Sequence, residues 1–498
     1  MFIPLLFTSL ATATTAYIWS SPQLDALESL RFEQAFADLI QPCDSFSFDS
    51  GDAGSRSGRS NAADWIRAAY HDMATHNIAD GTGGMDASIR FDEEQARPEN
   101  AGDGFQNTLL AILARSNRYL SIADVLALGA VFAFDNWQTR TSLPLLGKGF
   151  TQAEMIGLVA CGNTFGGVQH APFPDIVSEL NDPNNTQSVA HFDATSVQFD
   201  NKLATEYIFG TTQNPLVVGL NETTNSDKRI FASNGNATMR SFAQSPELFS
   251  STCEELMALM IDTVPKGVQL TEVITPLSVK LSGLDLILAG DVLQFSGQVR
   301  FWNITDDPAR TVRLLWDDHI GGIHNATLRF THVTSSSGGR NTATWYTFSP
   351  ADDIPFLSLD PEAGITTMCF AVDDKLEDQG GVGFAMQDDV LFSSSSCFYA
   401  DGNGGRWDIA VRKGVAPVRV YLEVQARDSV SRPIVLETNV SVPVSQGATN
   451  AIAPYAIRRV EVKGNFESFK TYNVGAEVGG VKATRVGQHS LSEFSPCV

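Results

Sequence analysis

The sequence predicts two regions of different fold class: a mostly α-helical region over residues 24–270, then an all-β, sandwich-like region over 276–463. Three observations predict this. Apolar residues recur at helical spacing in the first half, beginning with Leu24, Leu27, Leu30, Phe32, Phe36 and Leu39. Two helix starts carry capping signatures, Ser121-x-x-Asp124 and Thr151-x-x-Glu154. From Pro276 the texture changes to short alternating runs such as VLQFSGQVRFW, TATWYTF and VRVYLEV, separated by Gly, Pro, Asp and Ser clusters at a spacing that suits a sandwich.

In order, helices are expected over Leu24–Leu39, from about Asn61, over Gly104–Tyr119, and from Ser121 to about Asn136. The Thr151 capping box opens EMIGLVACGNTFGGVQH, and Met239–Phe249 and Ser251–Val264 close the helical region. A glycine-containing tail from Gly464 is expected to be partly disordered.

With 498 residues there is room for two or three domains. The formal net charge of -23 argues against nucleic acid or an anionic membrane surface as partner. Residues 2–16 form a short apolar run ending in small residues, which reads as a secretory signal peptide, and no later segment is apolar enough to span a membrane. Sequons at Asn184, Asn221, Asn236, Asn303, Asn325 and Asn439 fit a secreted glycoprotein. Six cysteines permit disulfides, and no Cys/His spacing suggests zinc.

The chemistry concentrates between Trp65 and Gly102. Arg67 and His71 lie four apart in a helical pattern, so a permanent cation and an imidazole share one face. Asp72 follows, then a glycine-rich loop with Gly84, Asp86 and Ser88, whose oxygens are of the hard type calcium prefers, and then Asn100-Ala101-Gly102.

Through R-x-x-x-H-D, G-x-D-x-S and N-A-G the chain resembles the plant, fungal and bacterial haem peroxidase superfamily. The resemblance implies a haem-peroxidase fold over 24–270, haem b and two calcium ions. It implies that Arg67 and His71 act on bound peroxide, with Tyr70 beside the histidine and Asn100 orienting it. It implies a distal calcium held by Asp72, Gly84, Asp86 and Ser88. The family's haem-ligating histidine falls in A-C-G-H-T-x-G-G, where this chain reads Ala160-Cys161-Gly162-Asn163-Thr164-Phe165-Gly166-Gly167. Asn163 therefore stands at the ligand position. Thr164, Asp193, Thr195, Gln198 and Asp200 match the proximal calcium site, Phe192 the aromatic beneath the haem, and Asp227 the carboxylate partner of the ligating imidazole. An amide oxygen is a much weaker donor than an imidazole backed by a carboxylate.

His170, seven residues beyond Asn163, would lie two turns further along a continuing helix, too far to substitute. It reads as a surface or propionate-facing histidine, and His76 as solvated. Acidic residues that mark manganese oxidation are replaced by Ala63 and Arg59, and the surface tryptophan of ligninases by Leu158. The resemblance is also the setting for pairing Cys43 with Cys253 and Cys369 with Cys397, leaving Cys161 a buried thiol and Cys497 unassigned. The β region resembles the extension of secreted fungal peroxidases that also carry WSC modules, but its cysteine density is too low for such a module. Asp317, Asp318 and His319 read as a turn between strands.

Two functions stand open. One is a secreted peroxidase that reduces hydrogen peroxide and oxidises a small organic reductant, as in a response to oxidative stress. The other is an inactive relative acting as a secreted binding or cell-wall glycoprotein, with carbohydrate contact through the β region.

Overall fold

The computed structural model describes residues 21–33, 57–135, 150–219, 221–271, 273–304, 307, 309–335, 342–440, 454–463, 470–484 and 489–497. The expected signal segment, residues 34–39 of the first helix, Cys43 and Asn136 lie outside them.

Helices fill the first half: α1 Pro22–Phe32, α2 Asn61–Met73, α3 Gly104–Arg115, α4 Ile122–Asp135 and α5 Gln152–Gly162. After a two-stranded ribbon, β1 Gly167–Gln169 with β2 Val189–His191, come α6 Lys202–Phe209, α7 Ser226–Ala232, α8 Ala237–Gln244 and α9 Pro246–Ile261. Both caps form. Ser121 and Asp124 bond each other's backbone amides, and Thr151 does the same with Glu154. The helices enclose one core, with Trp65 and Ile66 of α2 set among Val125, Phe132, Leu158 and Met257. α2 approaches α4 so closely that a Cβ on Gly129 would lie 1.8 Å from the Trp65 ring, so this position admits only glycine.

The β half begins with β3 Val279–Ala289, β4 Val292–Trp302, β5 Val312–Asp317, β6 Ile323–Thr327, β7 Arg329–Ser335 and β8 Thr342–Thr347. It continues with β9 Leu357–Leu359, β10 Thr367–Val372, β11 Lys375–Glu377, β12 Phe384–Ala385, β13 Val390–Ser393, β14 Cys397–Phe398 and β15 Gly404–Arg412. The last strands are β16 Arg419–Arg427, β17 Pro433–Asn439, β18 Tyr455–Lys463, β19 Thr471–Val478, β20 Val481–Thr484 and β21 His489–Ser490. They form a nine-stranded sheet, β14-β15-β13-β3-β4-β8-β7 with β18 and β9 attached, and two five-stranded sheets built on β10-β5-β6 and on β17-β16-β19.

The expectation of a mostly α-helical haem-peroxidase fold does not hold. Helix and strand claim similar shares of the described chain, because helical periodicity ends at Ile261 and period-two alternation runs from Val279 to Ser490. Nor is the β half a two-sheet sandwich. Neighbouring residues of β13 enter different cores, Leu391 on one side and Phe392 on the other. The nine-stranded sheet is therefore covered on both faces at β13, whose burial is unbroken, while its edge strand β7 is largely exposed. Within the expected tail, β19 pairs with β16, β20 and β21 pair with β19, and Cys497 is disulfide-bonded to Cys397.

The cysteine pairing differs from expectation throughout the described residues. Cys161 pairs with Cys253, tying α5 to α9, and Cys369 is a free thiol. Sequence order hides this, since α5 and α9 pack together from 92 residues apart. Two disulfides fit an oxidising compartment. No helix among the described residues is long and apolar enough to cross a membrane.

The two halves are joined through α1, which places Leu27 in the helical core and Glu28 against β3 and β4. A second contact pairs Arg118 with Glu423 of β16, and Arg427 donates to the carbonyls of Leu113 and Ser116.

Candidate active site

α2 is capped by Ser60, whose hydroxyl accepts from the Ala63 amide, and its pitch sets Arg67 and His71 one turn apart. Nδ1 of His71 lies 2.6 Å from Oδ1 of Asn100. The Asn100 amide nitrogen donates to the Glu94 carbonyl at 2.6 Å, which fixes Oδ1 as the acceptor for the ring N–H. The proton therefore sits on Nδ1, and Nε2 is left as the basic nitrogen. Burial, then the Arg67 charge, pushes the His71 pKa down to about 4, so the ring is neutral over the ordinary pH range.

Among the described residues no carboxylate forms an ion pair with Arg67, although the Asp64 charge acts on it. Its Nη2 donates to the carbonyls of Glu99 at 2.9 Å and Ala101 at 3.3 Å, on either side of Asn100. The guanidinium also lies 4.4 Å from the centroid of Phe105, whose ring meets His71 edge-on at 5.3 Å. Phe105, on the first turn of α3, thus touches both groups. No sequence signal singles it out.

Asp72 turns away from this face. Its carboxylate accepts from the backbone amides of Asp86, Ala87 and Ile89 and from the Ser88 hydroxyl, so it pins the glycine-rich loop to α2. Burial, with Asp86 nearby, raises its pKa to about 6. Gly84 takes φ +100°, and a Cβ there would come within 2.5 Å of the Thr263 carbonyl. His76 faces the Gly83 carbonyl at 3.3 Å.

On the other side, α5 ends at Gly162 instead of continuing to His170, and Asn163 is its C-cap. The chain then turns through Gly166, at φ +71°, into β1. His170 lies beyond the end of α5, its Nδ1 bonded to the Val177 carbonyl at 2.7 Å. The Asn163 amide nitrogen donates to Oδ2 of Asp227 at 2.7 Å, and Asn214 donates to the same oxygen at 2.9 Å. Burial raises the Asp227 pKa, and this carboxylate in turn adds to the upward shift of the Tyr70 phenol, whose larger cause is burial. Asn214, the cap residue before Pro215, was not foreseen, because nothing local points from it to Asp227. Phe192 packs against the helical core, its amide donating to the Gly166 carbonyl.

Beside Asn163, the buried Thr164 hydroxyl donates to the Asp200 carbonyl at 3.0 Å. The Thr195 hydroxyl reaches Oδ1 of Asp200 at 3.1 Å and Oδ1 of Asp193 at 3.4 Å. The Gln198 amide closes the turn on the Thr195 carbonyl. Oδ2 of Asp193 is buried with no hydrogen-bond partner. Burial, followed by the Asp200 and Glu206 charges, raises the Asp193 pKa to about 7. This set fits a hard cation, which would meet the orphaned oxygen and offset the carboxylate repulsion. Among the described residues no three His, Cys, Asp or Glu side chains gather as a metal cluster.

For a haem the fit divides. Arg67, His71 and Asn100 converge as acid–base machinery, whereas Asn163 offers no imidazole and its amide nitrogen is committed to Asp227. In the β half, Asp318 and His319 sit in the β5–β6 turn, Asp318 accepting from the Ile320 and Gly322 amides and His319 facing Asp388 at 2.8 Å.

No protein-family profile matches the chain. It is 33% identical over 340 residues to a "WSC domain-containing protein" of Arthroderma benhamiae, an alignment covering 60% of this chain and 45% of the relative. The chain thus spans less than half the length of that relative. Among solved structures, a pullulanase of an Anoxybacillus species is matched in two forms, one of them complexed with maltotriose. Each has 10% identity and a TM-score of 0.13, covering 41% of this chain and 25% of the other. Likeness at that level carries no argument about fold.

Proposed function

We propose that this chain is a secreted, haem-dependent peroxidase that reduces hydrogen peroxide and oxidises a small organic reductant, with weakened support on the Asn163 side. The observation that carries this is the His71–Asn100 contact at 2.6 Å with Arg67 alongside. Nε2 of His71 takes the proton from the hydroperoxide and returns it to the departing oxygen. Arg67, bonded to two backbone carbonyls, directs its charge to the oxygen on which negative charge develops. Asn100 holds the tautomer this cycle needs. A haem, when bound, supplies the two electrons that peroxide reduction requires. The residues at Thr164, Asp193, Thr195, Gln198 and Asp200 would hold one calcium ion, whereas at Asp72, Gly84, Asp86 and Ser88 both Asp72 oxygens are already bonded to the loop they pin, so this set fits a second calcium less well.

A second reading is favoured by the Asn163–Asp227–Asn214 network, which satisfies the buried carboxylate without an imidazole. In it the chain no longer turns over peroxide and serves as a secreted binding or cell-wall glycoprotein.

Purified protein mixed with haem separates the two. A Soret band with peroxide-dependent turnover of a phenolic dye, lost in His71→Leu, supports the peroxidase. Asn163→His is expected to raise that turnover by more than tenfold, since imidazole and Asp227 would then pair. Absence of haem binding in the native protein, with binding in Asn163→His, would favour the second reading.

A further inference from the structure

One outer strand borders two sheets. β6 pairs only with β5, and β7 only with β8, among the described residues. The one residue between them, Leu328, is buried where the chain passes from one sheet to the next. Among the described residues β6 therefore presents its outer backbone edge to no other strand, a template for unwanted pairing. The β7 half is interrupted by a bulge between Phe330 and His332 and begins with Arg329. The β6 half, IHNAT, has no bulge, Pro, Lys or Arg, and Ile323 at its start is 80% exposed.

What β6 does carry is Asn325-Ala326-Thr327. Ile323, Asn325 and Thr327 are the exposed positions, alternating with His324, which stacks on Trp316, and Ala326, which packs on the core. On the exposed face the register sets Asn325 opposite Leu315 of β5, and Leu315 opposite Cys369 of β10. Two strand spacings, roughly 10 Å, separate Asn325 from Cys369. That cysteine is free and half-buried. Among the other sequon asparagines, Asn221 caps the Thr223 amide, Asn236 accepts from the Tyr207 hydroxyl and Asn439 accepts from Arg419.

We propose that Asn325 is N-glycosylated and that its glycan covers the open edge of β6 and the row ending at the Cys369 thiol. In the transfer, Nδ2 of Asn325 loses a proton and bonds to the anomeric carbon of a polyprenyl-diphosphate-linked oligosaccharide. The anomeric C–O bond breaks and the polyprenyl diphosphate leaves with its electron pair. A bulky, hydrated group at this place keeps a second chain from adding to the edge and keeps two Cys369 thiols from meeting, where dissolved dioxygen would take up their two electrons and two protons as the disulfide forms. The proposal rests on the secreted part of the functional reading, but its test does not involve peroxide.

The test uses the full chain secreted from a eukaryotic host, with glycopeptide mass spectrometry and non-reducing electrophoresis. Occupancy is expected at Asn325 in the native protein and in Thr327→Ser. Thr327→Ala is expected to lose the glycan and to show a several-fold rise in disulfide-linked dimer, abolished when Cys369→Ser is added. If Thr327→Ala is not secreted, enzymatic removal of the glycan from native protein gives the same comparison. A bare Asn325 in the secreted protein, or no rise in Cys369-dependent dimer without the glycan, overturns the proposal.

Discussion

Glu28 is the residue on which the union of the two halves most depends, and Glu28→Gln tests it. Its carboxylate accepts from Lys280 at 2.8 Å, from both terminal nitrogens of Arg300, from Trp302 Nε1 at 3.1 Å and from the Leu277 amide at 3.1 Å. Glu28, Lys280 and Arg300 have side chains 1%, 5% and 0% exposed. Burial alone would raise the Glu28 pKa, yet Arg300 and Lys280 outweigh it and hold the acid below its ordinary range. The amide would present N–H groups to two buried cations, with the part-exposed Glu33 as the remaining carboxylate paired with them among the described residues. Removing one partner of a buried ion pair costs about 3–5 kcal/mol. The assay is the denaturant midpoint of native and variant protein at pH 7 and at low pH. A carboxylate whose folded pKa is depressed contributes stability above its unfolded value of about 4.5, and that contribution is lost as pH falls through the folded value. The difference should therefore be large at pH 7 and shrink in acid. Adding Arg300→Met to Glu28→Gln should recover part of the loss, because the stranded charge goes with it. A loss at pH 7 below about 1 kcal/mol, or one equal at both pH values, would refute the claim that this cluster holds α1 to the sheet.

Two further outcomes concern the site. With the His71 pKa near 4, the base form persists well below neutrality, so the acid limb of haem-reconstituted turnover should lie near pH 4. A limb near pH 6.5 would mean that Arg67 and burial do not act on the ring as described. The same depression makes the folded chain bind fewer protons than the unfolded one between about 4 and 6.5, so the contribution of His71 to stability declines as pH falls through that window. Phe105→Leu should raise the His71 pKa, followed by NMR of the ring proton, while Phe105→Tyr should keep it low. Loss of the face under Arg67 lets the guanidinium swing away and lets water reach the imidazole. An unchanged titration in Phe105→Leu would reduce that ring to simple filling.

Much of the local structure could be read before any coordinates. The helix starts at Ile122 and Gln152 follow from Ser, Thr, Asp and Glu at cap spacing, which are interactions within four residues. The i, i+4 placement of Arg67 and His71 is likewise a property of the helix itself. The contact of Asn100 with His71 came from resemblance, since a turn of loop geometry separates them. Beyond these, sequence failed wherever the answer depended on which distant surfaces meet. The expectation of a mostly helical peroxidase fold gave way to a chain divided between helix and strand. The Cys161–Cys253 and Cys397–Cys497 bridges link residues 92 and 100 apart, and no local pattern distinguishes them from the pairings expected.

By itself, the chain's amino-acid order determined where helical and strand periodicity begin and end, and which short segments carry a base, a cation and an amide. Those are short-range matters of backbone geometry and capping. Only the folded molecule decided that Asn163 and Asn214 share the Asp227 carboxylate, that Phe105 lies under Arg67, and that β13 is buried on both faces of its sheet. Each of these brings together groups whose separation along the chain is set by packing, and packing answers to the shape of the whole core rather than to any neighbouring residue.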